Sequence, residues 1–142
     1  RIMSLPGLPA FLPLICYEIV YSGGLGSPIK DAGFLLVLTN DAWFDGSIGP
    51  EQHFHHARLR AVEEGKGMVR AANSGVSAFV DPLGRIEGRL GNGEVGVLKG
   101  TPSQPLEETL FAKLGQIPFF VMIALGIFIG AIGQRAGRKL RI

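Results

Sequence analysis

Cysteine is nearly absent from this 142-residue chain, and Cys16 is the only one. A single cysteine cannot form an internal disulfide, and it excludes a zinc site built from several cysteines. The three histidines lack the HExxH spacing, and the glycine-rich stretch 23–26 lacks both the GxGxxG pattern and the P-loop lysine. We therefore expect neither a metal ion nor a cofactor. The length is that of one modest domain.

The three histidines, His53, His55 and His56, lack the further ligands that a metal site needs. On a helix His53 and His56 would share a face, but no third ligand presents itself. We interpret these histidines as facing solvent or capping a helix.

Outside the C-terminus, basic residues are fewer than acidic residues. The net charge is +2, but four of the 14 basic residues lie in the last eight positions. These four are Arg135, Arg138, Lys139 and Arg141. The remainder holds ten basic and twelve acidic residues, so it is slightly acidic. Because a nucleic-acid footprint needs a basic stripe across the folded part, we expect no nucleic-acid partner.

Charge is missing altogether from Leu114 to Gln134, a run of 21 residues with a dense apolar centre. About 20 mostly apolar residues cross a bilayer core. The basic cluster that follows favours a cytoplasmic end by the positive-inside rule. We predict a transmembrane helix at 114–134 rather than a buried helix of a soluble protein. Residues 1–113 would then be extracytoplasmic, and 135–142 a cytoplasmic tail.

Two short apolar runs, 11–15 and 34–39, predict buried strands of an α/β fold. Strands buried on both faces and joined by a crossover are typically parallel neighbours. Their carboxyl ends then lie on the same edge of the sheet, where open α/β sheets bind ligands. Cys16 ends the first run and the segment 40–46 ends the second. We expect these two polar ends to converge on one pocket.

The remaining chain predicts one long helix and three further strands. The helix is expected over 50–72, weakened at Gly65 and Gly67, with an apolar face at helical spacing. That face would contain Phe54, Ala57, Ala61, Met68, Val69 and Ala72. A hairpin is expected from strands 76–80 and 85–90 around the turn 81–84, followed by a strand over 94–98.

Cys16 is a candidate nucleophile, because a thiol at the start of a helical turn can be exposed and is favoured as thiolate there. The alternative is a small buried hydrophobe, the usual role of a free cysteine. Glu18 either stabilises the first turn of that helix or assists the thiol. Asn40 and Asp41 are of turn-forming types. Trp43 and Phe44 are expected to be partly core, although their position at a strand end favours a binding site.

Several motifs together resemble the C-terminal part of the bacterial apolipoprotein N-acyltransferases, membrane-embedded members of the nitrilase superfamily. They are Pro13-Leu14-Ile15-Cys16-Tyr17-Glu18-Ile19, Thr39-Asn40-Asp41-Ala42-Trp43-Phe44, Ser47-Ile48-Gly49-Pro50-Glu51-Gln52-His53-Phe54, Ala57-Arg58-Leu59-Arg60-Ala61, Asn73-Ser74-Gly75-Val76-Ser77 and Asp81-Pro82-Leu83-Gly84. The resemblance implies the C-terminal half of a nitrilase-like αββα sandwich followed by one transmembrane helix. It further implies a Glu-Lys-Cys triad in which Cys16 is the nucleophile.

The resemblance implies ping-pong acyl transfer. Cys16 would take an acyl chain from a phospholipid as a thioester and pass it to the amine of a diacylated apolipoprotein. The Tyr17 N–H would stabilise the oxyanion, and Glu18 would join Cys16 and Tyr17 as a catalytic residue. Asn40, Asp41, Trp43 and Phe44 would bind substrate.

The resemblance also sets the expected location and state of the enzyme. The complete enzyme would be a monomer in the bacterial inner membrane with its catalytic part in the periplasm. The family's Glu and Lys lie upstream of the matched region, and Lys30 and Lys66 do not match the motif position. The chain alone is therefore expected to be inactive.

Two other functions fit the same residues. One is a nitrilase-type amidohydrolase with a membrane anchor, which shares the triad and gives the acyl group to water. The other is a membrane-anchored remnant that binds lipid or partners without catalysis.

Overall fold

The computed structural model describes residues 2–23 and 25–139, and its centre is a five-stranded sheet. The strands are β1 (Phe11–Ile15), β2 (Phe34–Asn40), β3 (Gly67–Asn73), β4 (Ser77–Val80) and β5 (Ile86–Leu90). The helices are α1 (Gly49–Glu64), α2 (Leu110–Leu114) and α3 (Ile117–Lys139), with 3₁₀ turns at Cys16–Val20, Ser27–Asp31 and Ala42–Phe44. The strands lie side by side in chain order.

The first three strands are parallel and the last two are antiparallel. Ile15 pairs with Leu38 and Leu38 pairs with Ala71, so β1, β2 and β3 end at the same edge. The predicted strand pair and its parallel arrangement are confirmed. The predicted hairpin is also confirmed, because β4 pairs with β5 across the turn at 81–84.

Helix α1 covers one face of the sheet and encloses the core. The core side chains include Leu12, Leu14, Ile19, Leu35, Val37, Phe54, Ala57, Ala61, Met68, Val76, Ala78 and Val80. The most completely buried large side chains include Phe54 of α1 and Leu35 of β2. Full burial of such a side chain is worth about 1.5–3 kcal/mol, so α1 and the sheet stabilise each other.

The predicted helix over 50–72 was wrong in its last third. Gly65, in the left-handed conformation at φ 62°, ends α1 and donates its N–H to the Ala61 and Val62 carbonyls. The chain then enters β3, where Met68 pairs with Leu35 of β2. The apolar residues of this segment have helical spacing, but the hydrogen bonds that it forms with β2 make it a strand.

The strand predicted at 94–98 is absent, and residues 91–109 hold no helix or strand. Part of this segment crosses the sheet face opposite α1. A Cβ on Gly67 would lie 2.8 Å from the Ser103 carbonyl oxygen, so the crossing needs a glycine in β3. No strand in the described part of the chain pairs with residues 94–98, and Val95 is fully exposed.

The sheet face opposite α1 is open beside β1 and β2. Ile15 is 55% exposed and its neighbour Leu38 is 42% exposed. Ala71, the next residue across the sheet, is also exposed. These three apolar side chains form a row at the carboxyl edge of the parallel strands, and nothing in the described residues packs over it.

The predicted span 114–134 does not coincide with one helix. Leu114 is the last residue of α2, and Gly115 at φ 54° separates α2 from α3. Helix α3 begins at Ile117 with Pro118 in its first turn, where proline costs no hydrogen bond. Its backbone continues through Lys139 into the predicted tail, whose Arg141 lies outside the described residues. Among the described residues no helix is long and apolar enough to cross a membrane.

Candidate active site

Three elements meet at the carboxyl edge of the sheet. Cys16 follows β1 directly, Asp41 follows β2, and His53 lies in the second turn of α1. His53 joins the two strand ends, since its Nδ1 lies 2.8 Å from Asp41 Oδ1 and its Nε2 lies 3.3 Å from the Cys16 carbonyl oxygen. The expected convergence of the two strand ends is therefore confirmed.

Cys16 occupies a strained corner. Its φ is 51°, in the left-handed region that residues with a Cβ rarely adopt, and its thiol is free and partly exposed. Such a conformation costs about 1–3 kcal/mol and persists only where the surroundings enforce it. The corner turns the chain from β1 into the 3₁₀ turn Cys16–Val20, so the thiol stands at the edge of the sheet rather than in the core.

Glu18 holds this corner from the solvent side. Its Oε2 accepts a hydrogen bond of 2.6 Å from the Ile15 N–H, the residue that precedes the turn. The carboxylate is exposed and closes the turn as a capping side chain does. The structure thus gives Glu18 a positioning contact with the backbone before Cys16.

Tyr17 follows Cys16 and packs against two aromatic rings. Its ring stacks on His53, with centroids 5.5 Å apart and planes 24° apart. The Phe44 ring lies 6.2 Å from Tyr17 by centroid. These three side chains line a cavity of about 450 Å³ beside Cys16, together with Val20, Ser47, Ile48, Gly49, Gln52 and His56.

Asp41 anchors a buried polar cluster beneath this cavity. Its side chain has no exposed surface and accepts hydrogen bonds from Thr39 Oγ1 (2.9 Å) and Arg70 Nη2 (2.6 Å), besides its contact with His53. Burial alone raises the pKa of Asp41. The hydrogen bond with His53, the charge of Arg70 and the hydrogen bond from Thr39 outweigh it and lower this pKa below its ordinary 3.8. Asp41 is therefore a carboxylate held charged by its partners.

Arg70 completes the cluster from β3. Its Nε donates to the Val76 carbonyl at 3.0 Å, while its buried Nη1 has no hydrogen-bond partner among the described residues. Burial lowers the pKa of Arg70, and the negative charge of Asp41 and its hydrogen bond partly offset this. Arg70 thus places a buried positive charge against Asp41.

The interpretation of His53 as facing solvent or capping a helix is wrong, because His53 is 5% exposed and bridges Asp41 and Cys16. It overlooked that a carboxylate and an imidazole can satisfy each other below the surface. Asp41, predicted to bind substrate, has no exposed surface, and both of its oxygens are bonded within the protein. Its role in substrate binding stays a prediction.

Trp43 and Phe44, both predicted to bind substrate, differ in their exposure to solvent. Trp43 is 83% exposed and contributes nothing to the core, whereas Phe44 is half-buried against Tyr17. Asn40 is exposed, and its Oδ1 accepts from the Ala42 N–H (3.2 Å) and from Asn73 Nδ2 (3.1 Å). Asn40 therefore orders the turn after β2 and ties it to the end of β3.

Arg70 is the residue that sequence reasoning missed. It lay inside the predicted helix 50–72, where a charged residue indicates only an exposed face. The available signal was the glycine pair 65 and 67, which ends α1 and begins a strand with Arg70 in its interior.

The two lysines set aside on sequence grounds lie elsewhere. Lys30 Nζ pairs with Glu108 Oε1 at 3.0 Å, and Lys66 Nζ donates to the Lys30 carbonyl at 3.4 Å. Lys66 follows the C-terminal end of α1, whereas His53 lies near its beginning. Neither lysine has a contact with the cluster at Cys16 among the described residues.

Comparison with known proteins identifies the family of this fold and site. The sequence profile of the family described as "Carbon-nitrogen hydrolase" matches residues 5–106. The chain belongs to the carbon–nitrogen hydrolase family. The match includes Cys16, Asp41, His53 and Arg70, so the whole cluster lies within the family domain.

Several curated relatives of this carbon–nitrogen hydrolase domain are named apolipoprotein N-acyltransferase. The chain is 44% identical over 133 residues to an apolipoprotein N-acyltransferase of Rhodopseudomonas palustris, which covers 94% of this chain and 25% of that protein. It is 48% identical over 101 residues to that of Agrobacterium fabrum (71% and 19%) and 41% identical over 130 residues to that of Vibrio cholerae (91% and 26%). The chain thus spans about a quarter of the length of these relatives.

Solved structures confirm a nitrilase-like α/β fold for this domain. An amidase from Nesterenkonia sp. superposes with a TM-score of 0.51 at 26% identity, covering 64% of this chain and 36% of that one. A mutant of the same amidase, with the same TM-score and identity over 64% of this chain and 38% of that one, shows Michael addition of acrylamide at its active-site cysteine.

Proposed function

We propose that this carbon–nitrogen hydrolase domain belongs to an N-acyltransferase that moves an acyl chain from a phospholipid, through a thioester on Cys16, to the N-terminal amine of an apolipoprotein. The observation that carries this proposal is the free, partly exposed thiol of Cys16 at a left-handed corner on the carboxyl edge of parallel strands. The names of the relatives supply the acyl acceptor, and the amidase supplies a precedent for cysteine chemistry on this fold.

The first half-reaction would acylate Cys16. The thiolate sulfur attacks the ester carbonyl carbon of the phospholipid and forms a C–S bond. The ester C–O bond then breaks, and the lysophospholipid alcohol leaves with a proton. The Tyr17 N–H, the first backbone donor after the nucleophile, would stabilise the oxyanion.

The second half-reaction would release the product. The α-amine of the apolipoprotein attacks the thioester carbonyl, the C–S bond breaks, and an amide forms while the thiol regains a proton. Trp43 and Phe44 at the rim of the cavity would contact the acyl chain or the acceptor. Asn40 would shape this rim through its contacts with Ala42 and Asn73.

The chain would not act alone. We propose that two further catalytic residues lie in the region that the relatives have and this chain does not span. One is a glutamate that acts as the general base, and the other is a lysine that stabilises the oxyanion. The second sheet of an αββα sandwich would pack on the open row Ile15, Leu38 and Ala71, because an apolar row of this kind is normally covered. The 142-residue chain by itself is then expected to be inactive.

We propose that residues 114–134 cross the bacterial inner membrane, with 1–113 periplasmic and 135–142 cytoplasmic. The support is the 21-residue uncharged run, the basic residues after it and the exposed apolar side chains of α3 up to Ile132. Fusing reporters after Ile142 in a bacterial host tests this. Green fluorescent protein should fluoresce and alkaline phosphatase should be inactive; the reverse pattern contradicts the topology.

Labelled acyl phospholipid and a diacylated lipopeptide test the acyl transfer with the full gene product. The protein should acquire label that hydroxylamine removes, and the lipopeptide should chase it into an amide. Cys16→Ala should stay unlabelled, and the 142-residue chain should stay unlabelled too. Labelling of Cys16→Ala at the parent rate would contradict the proposal.

An amidohydrolase is the second candidate, favoured by the similarity to the Nesterenkonia amidase. It would hydrolyse small amides and give no phospholipid-dependent labelling. A protein that binds lipid but does neither would be the non-catalytic remnant.

A further inference from the structure

We infer that His53, anchored by Asp41 and Arg70, is a positioning residue that sets the Cys16 corner for thioester formation. This inference deepens the proposed function and rests on it for the reaction, though not for the geometry. Its basis is one side chain in contact with two successive residues of the corner, the Cys16 carbonyl and the Tyr17 ring.

The corner needs support from outside its own segment. Cys16 has a φ of 51°, and a non-glycine residue keeps such a conformation only where its neighbours over-determine it. Glu18 supplies one restraint by accepting the Ile15 N–H before the corner. The Cys16 carbonyl, on the far side of the corner, has His53 Nε2 at 3.3 Å.

The orientation of the His53 ring is itself fixed by neighbouring polar groups. His53 Nδ1 lies 2.8 Å from Asp41 Oδ1 and 3.3 Å from Arg70 Nη2, so both members of the ion pair contact the same ring nitrogen. Asp41 is fixed in turn by Arg70 Nη2 at 2.6 Å and by Thr39 Oγ1 at 2.9 Å. The ring orientation is therefore determined by groups on β2 and β3, which are rigid parts of the sheet.

The stacking of Tyr17 on His53 gives the same side chain a second hold on the corner. Tyr17 supplies the proposed oxyanion N–H, so its backbone orientation affects the reacting carbonyl directly. Misplacement of reacting groups by about 1 Å can cost about 100-fold in rate. A loosened His53 should thus slow acylation without weakening phospholipid binding.

Substitution of His53 in the full gene product tests this. In His53→Gln the amide can reach the Cys16 carbonyl as Nε2 does, whereas in His53→Asn it can reach only toward Asp41. The matched control is His55→Ala, an exposed histidine on the same helix. Two rates are measured for each variant: thioester formation from labelled phospholipid, and alkylation of the Cys16 peptide by iodoacetamide, followed by mass spectrometry.

We expect His53→Ala and His53→Asn to form the thioester about 10- to 100-fold more slowly at unchanged KM for phospholipid. His53→Gln should recover most of the rate, and His55→Ala should match the parent. The inference is overturned if folded His53→Ala reacts within twofold of the parent in both assays. It is also overturned if His53→Gln is no faster than His53→Asn, or if His53→Gln fails to fold.

The two assays separate this inference from the proposed function. If the parent alkylates at Cys16 but takes no acyl group from phospholipid, the proposed acyl transfer fails. The order of alkylation rates among the His53 variants then still decides whether His53 positions the corner.

Discussion

Arg70 and Asp41 form an ion pair with no exposed surface, in which Arg70 Nη2 lies 2.6 Å from Asp41 Oδ2. Arg70 comes from the middle of β3 and Asp41 from the residue after β2, so the pair joins two neighbouring strands at the carboxyl edge of the sheet. The same carboxylate holds His53, which contacts Cys16. The ion pair therefore links the stability of the sheet to the shape of the corner at Cys16.

Removing the carboxylate should destabilise the fold strongly. Asp41→Ala leaves Arg70 buried and uncompensated, which typically costs about 3–5 kcal/mol of unfolding free energy. The matched control is Glu51→Ala, which breaks the exposed ion pair with Arg89 and should cost at most about 1 kcal/mol. Denaturant unfolding of both variants checks this, and equal losses would contradict the role of burial.

Acid should remove the contribution of Asp41. Its pKa is lowered in the folded protein, so the folded state binds fewer protons on this group than the unfolded state near the ordinary value of 3.8. Its stabilisation is then complete above about pH 5 and is lost as the pH falls below about 4. The thermal midpoint of the parent should drop over this range more steeply than that of Asp41→Asn. Parallel curves would show that Asp41 does not carry this dependence.

Gly75→Ala should disturb the cluster from the side. A Cβ on Gly75 would lie 2.8 Å from Asp41 Cβ and closer still to Asp41 Oδ2, in a site with no free space. We expect a loss of about 1–3 kcal/mol, as for overpacking elsewhere. Gly88→Ala is the control, since the nearest atom to its Cβ would be Leu98 Cδ2 at 3.8 Å. Thermal unfolding compares the stability of the two variants. An unchanged stability of Gly75→Ala would mean that the Asp41 cluster can rearrange to accept the added methyl group.

Cys16→Gly should be more stable than Cys16→Ala. Glycine usually weakens ordered structure relative to alanine, but the φ of 51° at this position removes the advantage of alanine. The left-handed conformation costs an alanine about 1–2 kcal/mol, so glycine should gain about 1 kcal/mol here. Thermal unfolding of the two variants checks this. A more stable alanine variant would show that the corner is not left-handed in solution.

The first two strands and the meeting of their carboxyl ends were predictable because their sequence pattern is local. The runs 11–15 and 34–39 are continuous and apolar, as expected for strands buried on both faces, and each is followed at once by polar residues. Parallel pairing then places both ends together whatever the rest of the chain does. The position of the Cys16 thiol, at the end of the first strand, follows from the same pattern.

The end of α1 and the segment 94–98 were not predictable in this way. Met68 and Ala72 fit a helical face as well as a strand, and only hydrogen bonds to β2 decide between the two. The stretch 94–98 alternates like a strand, but β5 has no further partner there among the described residues. In both cases the deciding contact lies far away along the chain.

Membership in the carbon–nitrogen hydrolase family and the position of the thiol follow from the order of residues alone, because motifs and strand patterns are properties of short segments. The cluster around Asp41 was decided only by tertiary structure. His53 and Arg70 look like surface residues in sequence. They become buried partners of one carboxylate because α1 and β3 pack against the end of β2, where a buried charge persists only if it is paired.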